Sequence, residues 1–99
     1  MKVVFTTPAE IDLLAIGEFI GADNPERAIS FVDELVDQCI GLADKPRAFP
    51  LIPRYEHLGI RRRLHGRYLI FYRVEDDMIQ ILHVLNAARD YTQILKLDS

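Results

Sequence analysis

The apolar pattern of this chain changes period once, and three prolines mark the change. Through residues 8–44 apolar side chains recur at helical spacing, whereas from residue 59 to 85 they alternate with period two. Between the two, residues 44–58 carry Pro46, Pro50 and Pro53 among Ala48, Phe49, Leu51 and Ile52, which forbids a regular element and predicts a loop pinned against the core. At 99 residues there is room for a single domain, residues 1–99, with one core. Helices followed by an antiparallel meander place it in the α+β class.

Residues 2–6 are rich in β-branched and aromatic side chains and are stopped by Pro8, so they predict a short first strand. Thr7-Pro8-Ala9-Glu10 then reads as a capping box, with Thr7 as N-cap, Pro8 at the first helical position and Glu10 reaching back, and the helix runs over 8–20. Its apolar residues Ile11, Leu13, Leu14, Ala15, Ile16, Phe19 and Ile20 cover most of its circumference, so it is expected to pack on two sides. Gly21 is placed to end it in a left-handed conformation, and Asn24-Pro25 repeats the cap-then-proline start. The result is an antiparallel helical hairpin. In the second helix Ala28, Phe31, Val32, Leu35, Cys39 and their neighbours, Ile29 among them, fill about half the helical wheel, while the outer half is acidic, with Asp33, Glu34, Asp37 and Asp44.

Residues 59–64, 67–74 and 78–85 predict three strands, joined at His65-Gly66 and at Glu75-Asp76-Asp77 with hairpin spacing. Residues 67–74 are apolar on both faces (Tyr68, Ile70, Tyr72 and Val74 against Leu69 and Phe71), as a central strand should be. Tyr68 and Tyr72 read as core residues. Residues 89–97 predict a loose helical tail.

Charge is unevenly distributed. Eight of the twelve Lys and Arg residues fall within residues 45–73, where Glu56 is the only acid, although the net charge is −3. Residues 1–44 set Lys2 and Arg27 against nine acids. Such polarity offers a basic strand surface to an acidic partner, nucleic acid or protein. Arg61 and Arg63 alternate with Arg62, so they share the face that Ile60 and Leu64 do not, and His65 continues their row. Arginines on an edge strand also discourage edge-to-edge aggregation. Arg67, Arg73 and Arg89 lie on neighbouring segments, and converging guanidiniums favour carboxylate or phosphate recognition. The candidate partner-binding residues are therefore Arg61, Arg63, Arg67, Arg73 and Arg89.

Other chemistries find little support. Cys39 sits in the apolar arc of the second helix without cationic neighbours and reads as core. His57, His65 and His83 are scattered over a loop, a turn and a strand with no ligand spacing, so no metal site is expected. Ser30 and Ser99 offer no plausible nucleophile, and the glycines lie singly, so no phosphate loop and no cofactor are expected. No apolar run approaches the ~20 residues of a membrane span. The first residues contain no secretory segment and a lone cysteine forms no internal disulfide, so a cytoplasmic protein is expected.

The order strand, helix, helix, three strands, together with residues 42–91, resembles the RelE/ParE superfamily of bacterial type II toxins. The features that carry the resemblance are Tyr68-x-Ile70-x-Tyr72-Arg73-Val74, then Ile79-x-Ile81-Leu82-x-Val84-Leu85, then Ala88-Arg89-Asp90-Tyr91. The resemblance implies a β-α-α-β-β-β fold with a helical hairpin packed on a mainly antiparallel sheet. It also implies a toxin held inactive by a cognate antitoxin. RelE-like members cut mRNA in the ribosomal A site, and ParE-like members inhibit DNA gyrase. RelE-like nucleases place an arginine after the first tyrosine of the central strand, another after the last strand, and often a tyrosine further on. The corresponding positions here are Leu69, Arg89 and Leu95, and leucines supply neither proton transfer nor charge for a scissile phosphate. An acidic chain is also unlike a protein that works inside a polyanion.

These features favour the ParE-like branch, a non-catalytic gyrase inhibitor. The alternatives are a RelE-like ribosome-dependent mRNA endonuclease, with Arg89 its remaining residue, and an inactive antitoxin-binding member. The basic surface suits an acidic, partly disordered antitoxin segment, and the apolar first helix offers that segment a groove.

Overall fold

The computed structural model describes residues 1–97, so Ser99 lies outside the described residues. Its elements run β1 (Lys2–Phe5), α1 (Thr7–Gly21), α2 (Pro25–Ile40), β2 (Ile60–His65), β3 (Tyr68–Glu75) and β4 (Met78–Asn86). The strands form one sheet in the order β1-β4-β3-β2, with β1 parallel to β4 and the other pairs antiparallel. The helical hairpin supplies the crossover that a parallel β1–β4 pair requires. The expected β-α-α-β-β-β fold is therefore realised, and no helix among the described residues is long and apolar enough to cross a membrane.

Apolar side chains gather on both faces of the sheet. On the helical side Leu13, Ile16, Phe31, Leu35 and Cys39 meet Ile70, Tyr72, Ile79, Ile81 and Val84. On the far side Ile52, Ile60, Leu69, Phe71, Leu85 and Leu97 form a second cluster. The alternation of β3 feeds both, Ile70 and Tyr72 into one and Leu69 and Phe71 into the other. Tyr72 is fully buried with its hydroxyl donating to Pro46 O at 2.8 Å, and burial pushes its phenol pKa up.

Several local expectations are corrected. Thr6, not Thr7, caps α1: its Oγ1 accepts the Ala9 N–H at 3.3 Å and donates to Ile81 O at 2.7 Å. Glu10 then lies one position too far along for a capping box, and its N–H donates to Thr6 O at 3.0 Å. Thr6 is also the residue where β1 leaves its partner, so one side chain closes the strand and opens the helix.

Gly21 stays within the helix instead of adopting a left-handed conformation. A Cβ there would lie in ordinary contact, 3.5 Å from the methyl of Ala28 on α2. Asn24 starts α2 as expected, its Oδ1 accepting the Arg27 N–H at 3.0 Å. Gly66 is the glycine that a turn requires: it has φ +59 between β2 and β3 and lies under the ring of Phe31.

The prolines keep residues 45–55 irregular, with 3₁₀ turns over Gly41–Asp44 and Glu56–Leu58 on either side. Residues 89–97 form turns, not a helix. Asp90 Oδ1 accepts the Thr92 N–H at 3.0 Å, Leu95 N donates to Tyr91 O at 3.0 Å, and Lys96 takes a positive φ. This path lays Ile94, Leu95 and Leu97 over the far face of the sheet.

The first helix packs against α2 and against β4, as its wide apolar arc predicts, but part of that arc stays open. Ile11, Leu14 and Phe19 are 59, 68 and 75% exposed, and Ile29 of α2 is 68% exposed beside them.

Candidate partner-binding surface

The five candidate arginines occupy three separate places. Arg61 and Arg63 alternate as expected and reach toward the helical side, where both are engaged by main-chain carbonyls. No basic residue lies in the last turn of α2, so its final carbonyls need a donor from elsewhere. Arg63 provides it: Nη1 donates to Gln38 O at 3.0 Å, and the guanidinium lies 4.5 Å from the centre of the Phe49 ring. Arg61 Nη1 donates to Phe49 O at 2.8 Å and to Arg47 O at 3.3 Å. With the Tyr72 hydroxyl, these side chains hold the proline-containing loop against the strands.

Arg73 lies on the opposite face from Tyr72, with Nε and Nη2 donating to Leu58 O at 3.3 and 3.2 Å and Nη1 3.8 Å from Glu75. Arg67 and Arg73 flank opposite ends of β3, so they do not converge. Arg62, which the sequence did not single out, donates to the hydroxyl of Tyr91 at 2.9 Å and ties the C-terminal turns to β2.

Arg67 and Arg89 lie at the same end of the sheet, each beside its own hollow. Ala87 N donates to Arg67 O at 2.7 Å, which holds the start of β3 beside the end of β4. Both side chains are exposed, and among the described residues no hydrogen bond or ion pair engages either guanidinium. Phe19 lines both hollows. A hollow of about 260 Å³ on one side reaches Arg89, and one of about 440 Å³ on the other reaches Arg67 and Arg27; Tyr68 and Asn86 line both. Further along the hairpin, a groove of about 460 Å³ has an apolar floor of Leu13, Leu14, Ala28, Ile29 and Val32, with Glu18 and Asp33 also lining it. An apolar helical surface thus runs into an end that carries unengaged guanidiniums. Arg27 and the exposure of Phe19 and Ile29 were missed from the sequence, although the nearly all-round apolar pattern of α1 signalled a face without an internal partner.

The far face differs. Leu69 is 8% exposed in the second apolar cluster, where Leu95 also packs, with Phe71 and Tyr91 in ring contact at 4.8 Å. Two other histidine pairs are legible only in three dimensions: His65 Nε2 lies 2.9 Å from Glu34 Oε1, and His83 Nδ1 lies 2.8 Å from Asp12 Oδ2.

This arrangement of helical hairpin and sheet has known counterparts. The family model described as the ParE toxin of the type II toxin–antitoxin system, parDE, matches residues 3–91. The chain belongs to the ParE toxin family. This ParE-family chain is similar to a solved structure of the chromosomal ParDE system from P. aeruginosa, with 27% identity over 87% of this chain and 95% of that one and a TM-score of 0.71. It is also similar to a chain of the RelBE2 toxin–antitoxin complex from Mycobacterium tuberculosis, with 26% identity over 86% and 95% of the two chains and a TM-score of 0.65. No match was found among curated proteins. The span matched to the ParE family holds both helices, all of the sheet except Lys2, and Arg89. The turns at residues 92–97 lie beyond it.

Proposed function

We propose that this ParE-family toxin inhibits DNA gyrase by binding it, without catalysis, and that an acidic antitoxin segment neutralises it by covering the outside of the hairpin and its arginine end. The observation that carries the first half is the surroundings of Leu69 and Leu95. Leu69 lies beneath the C-terminal turns and Leu95 belongs to them; both pack in the second apolar cluster, and neither side chain supplies the proton transfer or positive charge that metal-free RNA cleavage would need at these positions. Of the three positions at which RelE-like nucleases carry these groups, Arg89 alone supplies charge, and it lies at the edge of the α1 hollow.

The second half rests on exposure and complementarity. The groove along α1 and α2 suits an amphipathic segment, and the unengaged Arg67 and Arg89 suit its carboxylates. Such a segment, disordered when free, would order on the toxin.

Purified protein added to gyrase is expected to block supercoiling or trap cleaved DNA, and added to translating ribosomes to leave mRNA intact. Cleaved mRNA with unaffected gyrase would replace this reading with the ribonuclease. Silence in both assays with antitoxin binding retained would mark an inactive member.

A further inference from the structure

One cluster of side chains takes no part in that reading. β1 pairs with β4 only as far as Ile81, which leaves the edge of β4 beyond it without a strand neighbour. Asp12 of α1 covers that edge: its Oδ2 accepts the Val84 N–H at 2.9 Å and lies 2.8 Å from His83 Nδ1. A carboxylate oxygen only accepts, so the imidazole proton sits on Nδ1 and Nε2 is left for another partner. A register shift between Phe71 and Tyr72 sets up this geometry, because Phe71 pairs with His83 and Tyr72 with Ile81, leaving Leu82 as the extra residue.

Leu82 and His83 border a cavity of about 350 Å³ whose polar lining is Thr6, His83, Arg73 and Lys96. Thr6 and Pro8 bring to it the N-terminal end of α1, the positive end of a 15-residue helix. Arg73 keeps one arm weakly engaged, since Glu75 lies 3.8 Å from its Nη1. Imidazole, guanidinium, ammonium and helix end therefore surround one space from different elements. A tetrahedral oxyanion takes donors from several directions in this way, whereas a planar carboxylate favours a single fork.

We propose that this cavity binds a phosphoryl group carried by a small molecule, with His83 Nε2 and Arg73 as its direct contacts and Asp12 as a positioning residue. Nε2 accepts from the P–OH of a monoanion, or as imidazolium donates to a dianion. Either pairing keeps Asp12 on the opposite nitrogen. At about 350 Å³ the cavity suits a phosphate ion or a compact phosphate ester, at the small end of ligand sites.

The test titrates inorganic phosphate into the full chain at constant ionic strength while the imidazole nitrogens and backbone amides are followed by NMR. The His83 Nε2 resonance should shift saturably, and chloride should leave it in place. His83→Gln and Arg73→Gln, read from the amides of Leu82 and Val84, should each weaken binding roughly tenfold or more, as expected for loss of a charge-assisted hydrogen bond. Arg54→Gln, which removes the same charge outside the cavity, should not. Asp12→Asn should weaken binding and alter the His83 tautomer signature together. Tighter binding of a nucleoside 5′-monophosphate than of inorganic phosphate assigns the site to esters, and the reverse assigns it to the free ion. A non-saturating response, or equal weakening by Arg54→Gln and Arg73→Gln, overturns the proposal.

Discussion

His65 Nε2 lies 2.9 Å from Glu34 Oε1, which ties the turn between β2 and β3 to the outer face of α2. The acidic half of the sequence thereby meets the basic half within one molecule. Arg27 Nη1 binds the other oxygen of Glu34 at 2.5 Å, and the ring of Phe31 stacks on His65 with centres 5.6 Å apart. Part of the charge separation along the chain is thus satisfied internally, before any partner arrives.

This pairing should appear in the pH dependence of stability. Hydrogen bonds from Arg27 and then from His65 hold the Glu34 carboxyl below the usual carboxylate range. A depressed pKa contributes stability that is present above the unfolded-state value and is lost as pH falls through the folded one. Urea midpoints of the wild type and Glu34→Gln should therefore differ near neutrality and converge in acid. A gap that stays constant through the acid range would show that the carboxylate charge is not the cause.

Asp12→Ala should destabilise the fold by about 1–3 kcal/mol, because it leaves the Val84 N–H and His83 Nδ1 without their acceptor at the open edge of β4. Asp12→Asn keeps one acceptor oxygen and should lose less. Denaturant unfolding of the two variants measures the difference.

Cys39 is fully buried, and burial pushes its thiol pKa up to about 12, against a smaller opposing pull from Arg63. The folded protein should therefore resist a thiol-specific reagent at pH 8, and labelling should track unfolding as denaturant is added. Rapid labelling under native conditions would contradict this packing.

The arginines should separate into two functional groups. Arg61→Ala with Arg63→Ala removes donors to Phe49 O and Gln38 O and should lower stability by roughly 1–3 kcal/mol. Arg67→Ala with Arg89→Ala should leave the urea midpoint nearly unchanged, weaken antitoxin binding and flatten its salt dependence. Titrations at two salt concentrations, run beside unfolding curves, distinguish the pairs.

What was legible in the sequence was local in origin. The two-sided apolar pattern of residues 68–74 identified a central strand because strand alternation needs no distant information. Asn24-Pro25 located the start of α2 for the same reason, since cap and proline act within one turn. Thr7 was read as the cap from its place beside Pro8, whereas Thr6 is the cap because Ile81, 75 residues away, supplies an acceptor to its hydroxyl. The C-terminal turns were misread because their path follows the apolar face they cover more than their own helix propensity.

The sequence by itself determined the order and kind of the elements, the polarity of the chain and the presence of leucines at positions 69 and 95, where a resemblance to RelE-like nucleases implies other side chains. Only the tertiary structure decided which arginines are open to a partner. Arg61, Arg63 and Arg73 are drawn to carbonyls at a helix end and in loops, while Arg67 and Arg89 stand exposed at one end of the sheet with no such acceptor among the described residues. A guanidinium's availability depends on the backbone that surrounds it, and spacing along the chain does not encode that.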